Sequence, residues 1–209
     1  MLRVGLTGSI AVGKSFVSAI LSELGCHVLD ADATAREVVI PGSQGLKQIV
    51  ESFGVSVLDS DGTLNRTKLG QLVFESEDRR KLLNSILHPL IIAEQDKVLR
   101  EWEASDPEGI GVVDAALMIE SGGYRRFDKL IVVHCKPEVQ LHRLIERGGL
   151  TREEAEARIA SQMPQEEKIR FADFLIDTSG DKIESRRQTE EVYQVLCEIV
   201  DRDRVEPRE

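Results

Sequence analysis

The octapeptide Gly8-Ser9-Ile10-Ala11-Val12-Gly13-Lys14-Ser15 satisfies G-x-x-x-x-G-K-[ST] at every fixed position. A loop of this kind works only between a buried strand and the start of a helix. Both neighbours are legible here: Leu2 to Thr7 is an apolar run, and a helical pattern opens near Gly13. Backbone N–H groups turned into such a loop, with the positive end of the following helix, cradle a β-phosphate without a basic surface. Lys14 is then placed to reach β- and γ-phosphates, and the Ser15 hydroxyl to take one position on Mg²⁺. The backbone from Gly8 to Phe16 supplies the rest of the nucleotide contacts. The bland alternative is a glycine-rich turn that binds nothing.

The motif specifies a nucleoside triphosphate but not a reaction. The N/T-K-x-D that a GTPase needs for guanine is missing from the sequence. Asp59-Ser-Asp-Gly62 imitates the D-x-x-G of a GTPase, yet Asp-Gly in that setting reads as a surface turn. The same stretch fails as a calcium loop, since Leu64 stands where the glycine belongs and Gly70 where the glutamate belongs.

Further apolar runs at His27 to Leu29, Ile110 to Val113, Leu130 to His134 and Phe174 to Ile176 read as buried strands. Helical patterns separate them, which predicts an α/β fold with a five-stranded parallel sheet between two helical layers. The core then occupies about residues 1–32, 108–146 and 171–200. Residues 33–107 carry only helical stretches, such as Gly45 to Phe53, Arg66 to Phe74, Asp78 to Leu87 and Leu90 to Ala104. They read as a helical insertion. Residues 147–170 form a shorter excursion, opened by the capping-box spacing Thr151-Arg-Glu-Glu154 and marked by Pro164 as an end or restart. The charged tail from Asp201 to Glu209, with Pro207, is expected to fray.

Composition narrows the function classes. Twenty-seven Lys+Arg against 37 Asp+Glu give a net charge of −10, which argues against a nucleic-acid surface or a polybasic membrane dock. Cys26, Cys135 and Cys197 are far apart in apolar runs without a C-x-x-C, so they read as reduced core thiols. Neither a secretory leader nor a run of ~18 apolar residues is present, and the chain is expected to be cytoplasmic.

Two constellations accompany the loop. Asp30 and Asp32 follow the second strand, two apart and so on one side of an extended segment. At the carboxyl edge of a parallel sheet such carboxylates can take a proton from an attacking hydroxyl or help hold hydrated Mg²⁺. Either could instead be an N-cap for the helix running to Val39, with Arg36 supporting Asp32 at i+4. After the fourth strand, Gln140, Arg143 and Arg147 recur on one helix face. Two arginines at the root of a Gly148-Gly149-interrupted excursion suit a lid that closes on a γ-phosphate. An ordinary solvated face, with Glu146 pairing Arg147, is the alternative. His27, His134 and His142 read as structural. His88, before Pro89, is expected to be held extended at a helix junction.

Together these residues resemble the dephospho-coenzyme A kinase family over Leu6 to Val192. The likeness runs through Gly5 to Ser15, Asp30-Ala-Asp32 with Ala35 to Val39, Leu64-Asn-Arg66, Arg79 and His88-Pro89. It continues in Gln140 with Arg143 and Arg147, Gln162-Met-Pro-Gln-Glu-Glu-Lys168 and Ala172-Asp173. The resemblance implies a P-loop kinase fold and transfer of the ATP γ-phosphoryl to the ribose 3′-hydroxyl of dephospho-CoA. It implies Asp32 as general base, with Lys14 and Arg147 stabilising the transferred group and Arg143 near the nucleotide. Asp32, Arg36, Arg79 and His88 fall in the substrate-binding half. Ser15 and Asp30 would serve Mg²⁺. ATP and dephospho-CoA are the implied partners, with no nucleic acid, no membrane, and a monomer or weak homo-oligomer.

Some positions depart from the family pattern. Ser9 replaces a common glycine, and Phe16 stands where a small hydroxyl residue is usual, leaving its N–H for the phosphates. Ala116 replaces a proline after the third strand, and Thr178 an asparagine near the adenine. Without the resemblance, another small-molecule kinase, such as a shikimate- or nucleoside-monophosphate-type enzyme, or a nucleotide-sensing module without transfer activity would fit the loop as well.

Overall fold

The computed structural model describes residues 1–74 and 76–205. Five strands, β1 (Leu2–Gly8), β2 (His27–Asp30), β3 (Ile110–Asp114), β4 (Lys129–His134) and β5 (Phe174–Asp177), form one sheet in the order β2-β3-β1-β4-β5. The sheet is parallel, as the near-continuous apolar runs predict. Strand β1 lies at its centre, with Leu6 opposite Asp114 on one side and Ile131 on the other. The carboxyl ends of β1, β3, β4 and β5 thus gather at one edge.

Two compact units divide the chain. One comprises Met1–Leu29 with Trp102–Glu209, the other Asp30–Glu101. The first unit holds the sheet. Helices α1 (Lys14–Glu23) and α9 (Lys182–Val205) cover it, burying Val17, Leu21, Val192 and Leu196 against Val4, Leu6, Val112 and Ile131. Aliphatic burial of this kind stabilises by roughly 25 cal/mol per Å². Helix α6 (Pro137–Gly148) begins on Pro137 at its first position and ends on Gly149, which adopts φ 58°. The capping box predicted for α7 (Arg152–Ala160) is present. Thr151 Oγ1 accepts from Glu154 N–H at 3.2 Å, and Thr151 N–H donates to Glu154 Oε2 at 2.9 Å. Pro164 marks a restart, as the cap of the short α8 (Gln165–Ile169).

The second unit has its own core of Val39, Ile49, Val57 and Leu69. It contains α2 (Ala31–Glu37), α3 (Gln44–Phe53), α4 (Arg66–Phe74) and most of α5 (Glu77–Ser105). Asp59-Ser-Asp-Gly62 is a surface turn: Gly62 N–H donates to Asp59 O at 3.0 Å and Gly62 takes φ 81°.

Three expectations need correction. Asp78 to Leu87 and Leu90 to Ala104 are not two helices but parts of α5, with Pro89 inside it. His88 is therefore helical rather than extended. An exposed proline forfeits one hydrogen bond, and the long helix supplies enough others on both sides. Residues 102–106 belong to the sheet unit because Glu103 binds Arg3 at 2.9 Å and Asp106 binds His27 at 3.0 Å, while Trp102 stacks on His27. Finally, α9 carries the tail in helix as far as Val205. The remainder of that expectation, residues 206–209, lies outside the described residues.

Candidate active site

The loop between β1 and α1 is shaped by two left-handed residues. Gly13, the N-cap of α1, has φ 87°, and Ala11 has φ 61°. Glycine is required at position 13 twice over: a Cβ there would lie 3.2 Å from Thr178 Oγ1 in a backbone conformation that L residues resist. Ala11 pays that steric cost, of order 1–3 kcal/mol, and so must be held by its surroundings. Gly8 lets the loop leave β1 against β4, since a Cβ would stand 2.5 Å from Val133 O. Val12 is fully buried and anchors the loop in the core. Ser9, the replacement for glycine, is buried, and its Oγ makes no hydrogen bond among the described residues.

Lys14 Nζ pairs with Asp114 Oδ1 at the end of β3. Their side chains are only 16% and 9% exposed, so the pair is largely shielded from water. Asp114 is a site residue that the loop motif does not name, although the sequence carries a signal for it: a carboxylate ending a buried apolar strand at the ligand edge of a parallel sheet. Ser15 is exposed beside Lys14, and Phe16 N–H donates to Gly13 O at 3.0 Å, closing the first helical turn. The amide expected to be left for phosphate is thus engaged.

Arg143 and Arg147 share α6 but not an environment. Arg143 is half-buried, donating from Nη2 to Thr178 O at 2.7 Å and from Nη1 to Thr178 Oγ1 at 3.1 Å. Thr178 Oγ1 in turn donates to Val12 O at 2.5 Å. Where asparagine was expected near the adenine, threonine therefore links an arginine to the phosphate loop. Arg147 sits at the exposed end of α6, and Glu146 pairs with His142 at 3.3 Å rather than with Arg147.

The other predicted residues belong to the second unit. Asp30 caps α2, its Oδ1 accepting from Asp32 N–H at 2.8 Å. Asp32 is consequently not the cap; it is exposed in the first turn, one turn before exposed Arg36. Arg79 and His88 are both exposed on α5. Nine positions apart, they project roughly half a turn from each other, so the helix does not bring them onto one side.

Further polar groups, to which the sequence analysis gives no bonding role, hold the loop and the segment after β3. Lys168 is fully buried, its Nζ donating to Ala116 O at 2.8 Å and pairing with Glu120 Oε1 at 2.8 Å. Thr7 Oγ1 also donates to Ala116 O, at 3.2 Å, so the carbonyl next to Asp114's strand end is held twice despite the missing proline. Gln162 Oε1 accepts from Ile10 N–H at 2.8 Å, and Gln140 Nε2 donates to Ile10 O at 2.8 Å. Among the described residues, no three His, Cys, Asp or Glu cluster to hold a metal, and no helix is long and apolar enough to cross a membrane.

With this geometry in view, comparison with known proteins is specific. Residues 2–184 match the dephospho-CoA kinase family. A dephospho-CoA kinase from Geobacillus kaustophilus is 47% identical over 189 residues, covering 90% of this chain and 92% of that protein. Among solved structures, TT1252 from Thermus thermophilus superposes with a TM-score of 0.79 at 28% identity, over 93% of this chain and 97% of that one. Dephospho-CoA kinase from Campylobacter jejuni gives 0.69 at 31% identity, over 94% and 97%.

Proposed function

The chain belongs to the dephospho-CoA kinase family, and we propose that it transfers the γ-phosphoryl of ATP to the ribose 3′-hydroxyl of dephospho-CoA through the residues assigned below. The products are coenzyme A and ADP, the last step of coenzyme A synthesis. One bond forms between the 3′-oxygen and Pγ, and one breaks between Pγ and the β,γ-bridging oxygen. The hydroxyl proton goes to Asp32. A carboxylate can serve there because Asp30, and not Asp32, caps α2. In a loose transition state the remaining work is electrostatic. Lys14 exchanges Asp114 for the β- and γ-phosphates, and Arg147, exposed at the root of α7, meets the transferring group. Arg143, held by Thr178, borders the nucleotide.

Mg²⁺ accompanies ATP in this reading. Ser15 Oγ and the Asp114 carboxylate are hard oxygen donors of the kind Mg²⁺ takes one or two at a time, leaving its other positions to phosphates and water. Asp114 replaces Asp30 in this role, because the Asp30 carboxylate is committed to its helix cap. When bound, the ion supplies neutralisation of charge on the phosphate oxygens. Exposed Arg36 and Arg79 suit the pyrophosphate of the acceptor, which guanidinium groups grip bidentately. His88 joins them as a weaker contact from another side of α5.

The observation that carries the reading is the Lys14–Asp114 pair set on a preformed phosphate loop. Mass spectrometry after incubation with MgATP and dephospho-CoA, shikimate, adenosine or AMP tests it. A gain of one phosphoryl group on dephospho-CoA alone is expected; turnover of another acceptor with dephospho-CoA untouched would refute it.

A further inference from the structure

A chain of side-chain amides runs from the end of β4 to the phosphate loop. Cys135 N–H donates to Gln165 Oε1 at 3.0 Å, and Gln165 Nε2 donates to Gln140 Oε1 at 2.8 Å. Gln140 Nε2 then donates to Ile10 O at 2.8 Å, while Ile10 N–H donates to Gln162 Oε1 at 2.8 Å. The orientation of Gln165 and Gln140 is fixed from both ends. A backbone N–H at one end accepts nothing, and a backbone carbonyl at the other donates nothing, so each amide can face only one way. Gln140 is 2% exposed, which makes an unmet hydrogen bond there costly.

The two groups gripped on Ile10 flank the residue that immediately precedes Ala11. The carbonyl held by Gln140 belongs to the peptide whose nitrogen is Ala11's own. Holding that carbonyl fixes the peptide plane from which Ala11 turns to φ 61°. A non-glycine residue persists in that region when its surroundings over-determine it. We infer that Gln140 and Gln162 are positioning residues that brace Ile10 between them, hold Ala11 in its left-handed conformation, and so keep the phosphate loop shaped for ATP before nucleotide arrives. Gln165 sets the direction of the brace. Gln162 lies just past Ser161, the C-cap of α7, so the segment that bears the lid helix also makes one jaw of the brace.

The inference rests on the kinase reading and goes beyond it, because neither glutamine touches a reacting atom. A double-mutant cycle with Ala11→Gly tests it, since glycine takes positive φ without support. By calorimetry, Gln140→Met, which loses the bonds to Ile10 O and from Gln165, is expected to raise the Kd for MgATP on the order of tenfold, the scale of the buried bond to the loop whose carbonyl is left unmet. In steady-state assays KM for ATP rises with it, and kcat at saturating ATP stays within about threefold. In the Ala11→Gly background the same substitution should cost about threefold or less. Gln162→Met should follow the same pattern. Thermal melts establish that each variant is folded; if Gln140→Met is not, half-buried Gln165→Met carries the cycle instead. Equal losses with Ala11 and with Ala11→Gly, or an unchanged Kd, would overturn the brace. A wild-type chain that binds no MgATP would overturn the kinase reading beneath it, a distinct result.

Discussion

Lys14 Nζ is bonded to Asp114 Oδ1 across the junction of β3 and the phosphate loop. In the proposed reaction, the lysine that serves the β- and γ-phosphates is thus held by a carboxylate that they would replace. Asp114→Asn removes the charge that holds Lys14 and a hard ligand suited to Mg²⁺. The Mg²⁺ concentration for half-maximal rate should rise about 10–100-fold, while Lys14→Ala weakens both ATP binding and turnover. Magnesium titrations of initial rate separate the two variants; an unchanged Mg²⁺ requirement in Asp114→Asn would remove Asp114 from the metal site.

Asp32→Asn should leave MgATP affinity intact and lower kcat by about 10²–10⁴-fold, the span of a general base. Because Asp30 supplies the cap of α2, the melting temperature should hardly move. Near-normal kcat in a folded variant would disprove the base assignment.

Lys168→Met should cost stability rather than chemistry. It leaves Glu120 without its buried cation and takes one of the two donors from Ala116 O. A loss of about 1–3 kcal/mol is expected, which lowers Tm by roughly 2–12 °C in a chain of this size. Differential scanning fluorimetry measures it, and a Tm within a degree of wild type would show the pair to be dispensable.

Ser9→Ala should move stability the other way. The buried hydroxyl makes no hydrogen bond among the described residues, so removing it relieves a desolvation penalty of about 1–2 kcal/mol. Tm of the nucleotide-free protein should increase; a decrease would mean the hydroxyl is satisfied in solution.

Burial, then the neighbouring Cys197, pushes the Cys26 thiol up from its ordinary 9.0 to about 12. The folded chain therefore holds this proton more tightly than the unfolded one. That contribution to stability is complete below pH 9 and is lost as pH rises from 9 towards 12. Tyr193, raised to about 12 by its hydrogen bond with Cys197 and by burial, titrates in the same direction. Urea unfolding from pH 7 to pH 10.5 should show stability falling above pH 9, less steeply in Cys26→Ala. An equally steep fall in that variant would locate the effect elsewhere.

What could be read from the sequence had strong local signatures. The inner strands β1, β3 and β4 are buried on both faces and so stand out as apolar runs, and the loop motif and the Thr151 capping box have fixed spacings. The misreadings concern residues whose partners are remote in sequence. Pro89 reads as a helix break because the stabilising turns on either side cannot be weighed from a dipeptide. The burial of Lys168 is not legible because nothing local announces Glu120, 48 positions away. The glutamines are harder still: helical spacing puts Gln140 on a face with Arg143 and Arg147 but names no partner for it, and Gln162 meets Ile10 across 152 positions.

The order of strands has a consequence for synthesis. The central strand, β1, is made first, and its two neighbours are β3 and β4, which end at Asp114 and His134. At about 5–20 residues per second, the apolar stretch Leu2 to Thr7 waits roughly 5–21 s for β3 and roughly 6–25 s for β4. Its pairings are long-range, so folding must pay for closing large loops before the sheet rewards it. The segment that later shapes the phosphate site is therefore, on the ribosome, the part of the chain most in need of a temporary cover.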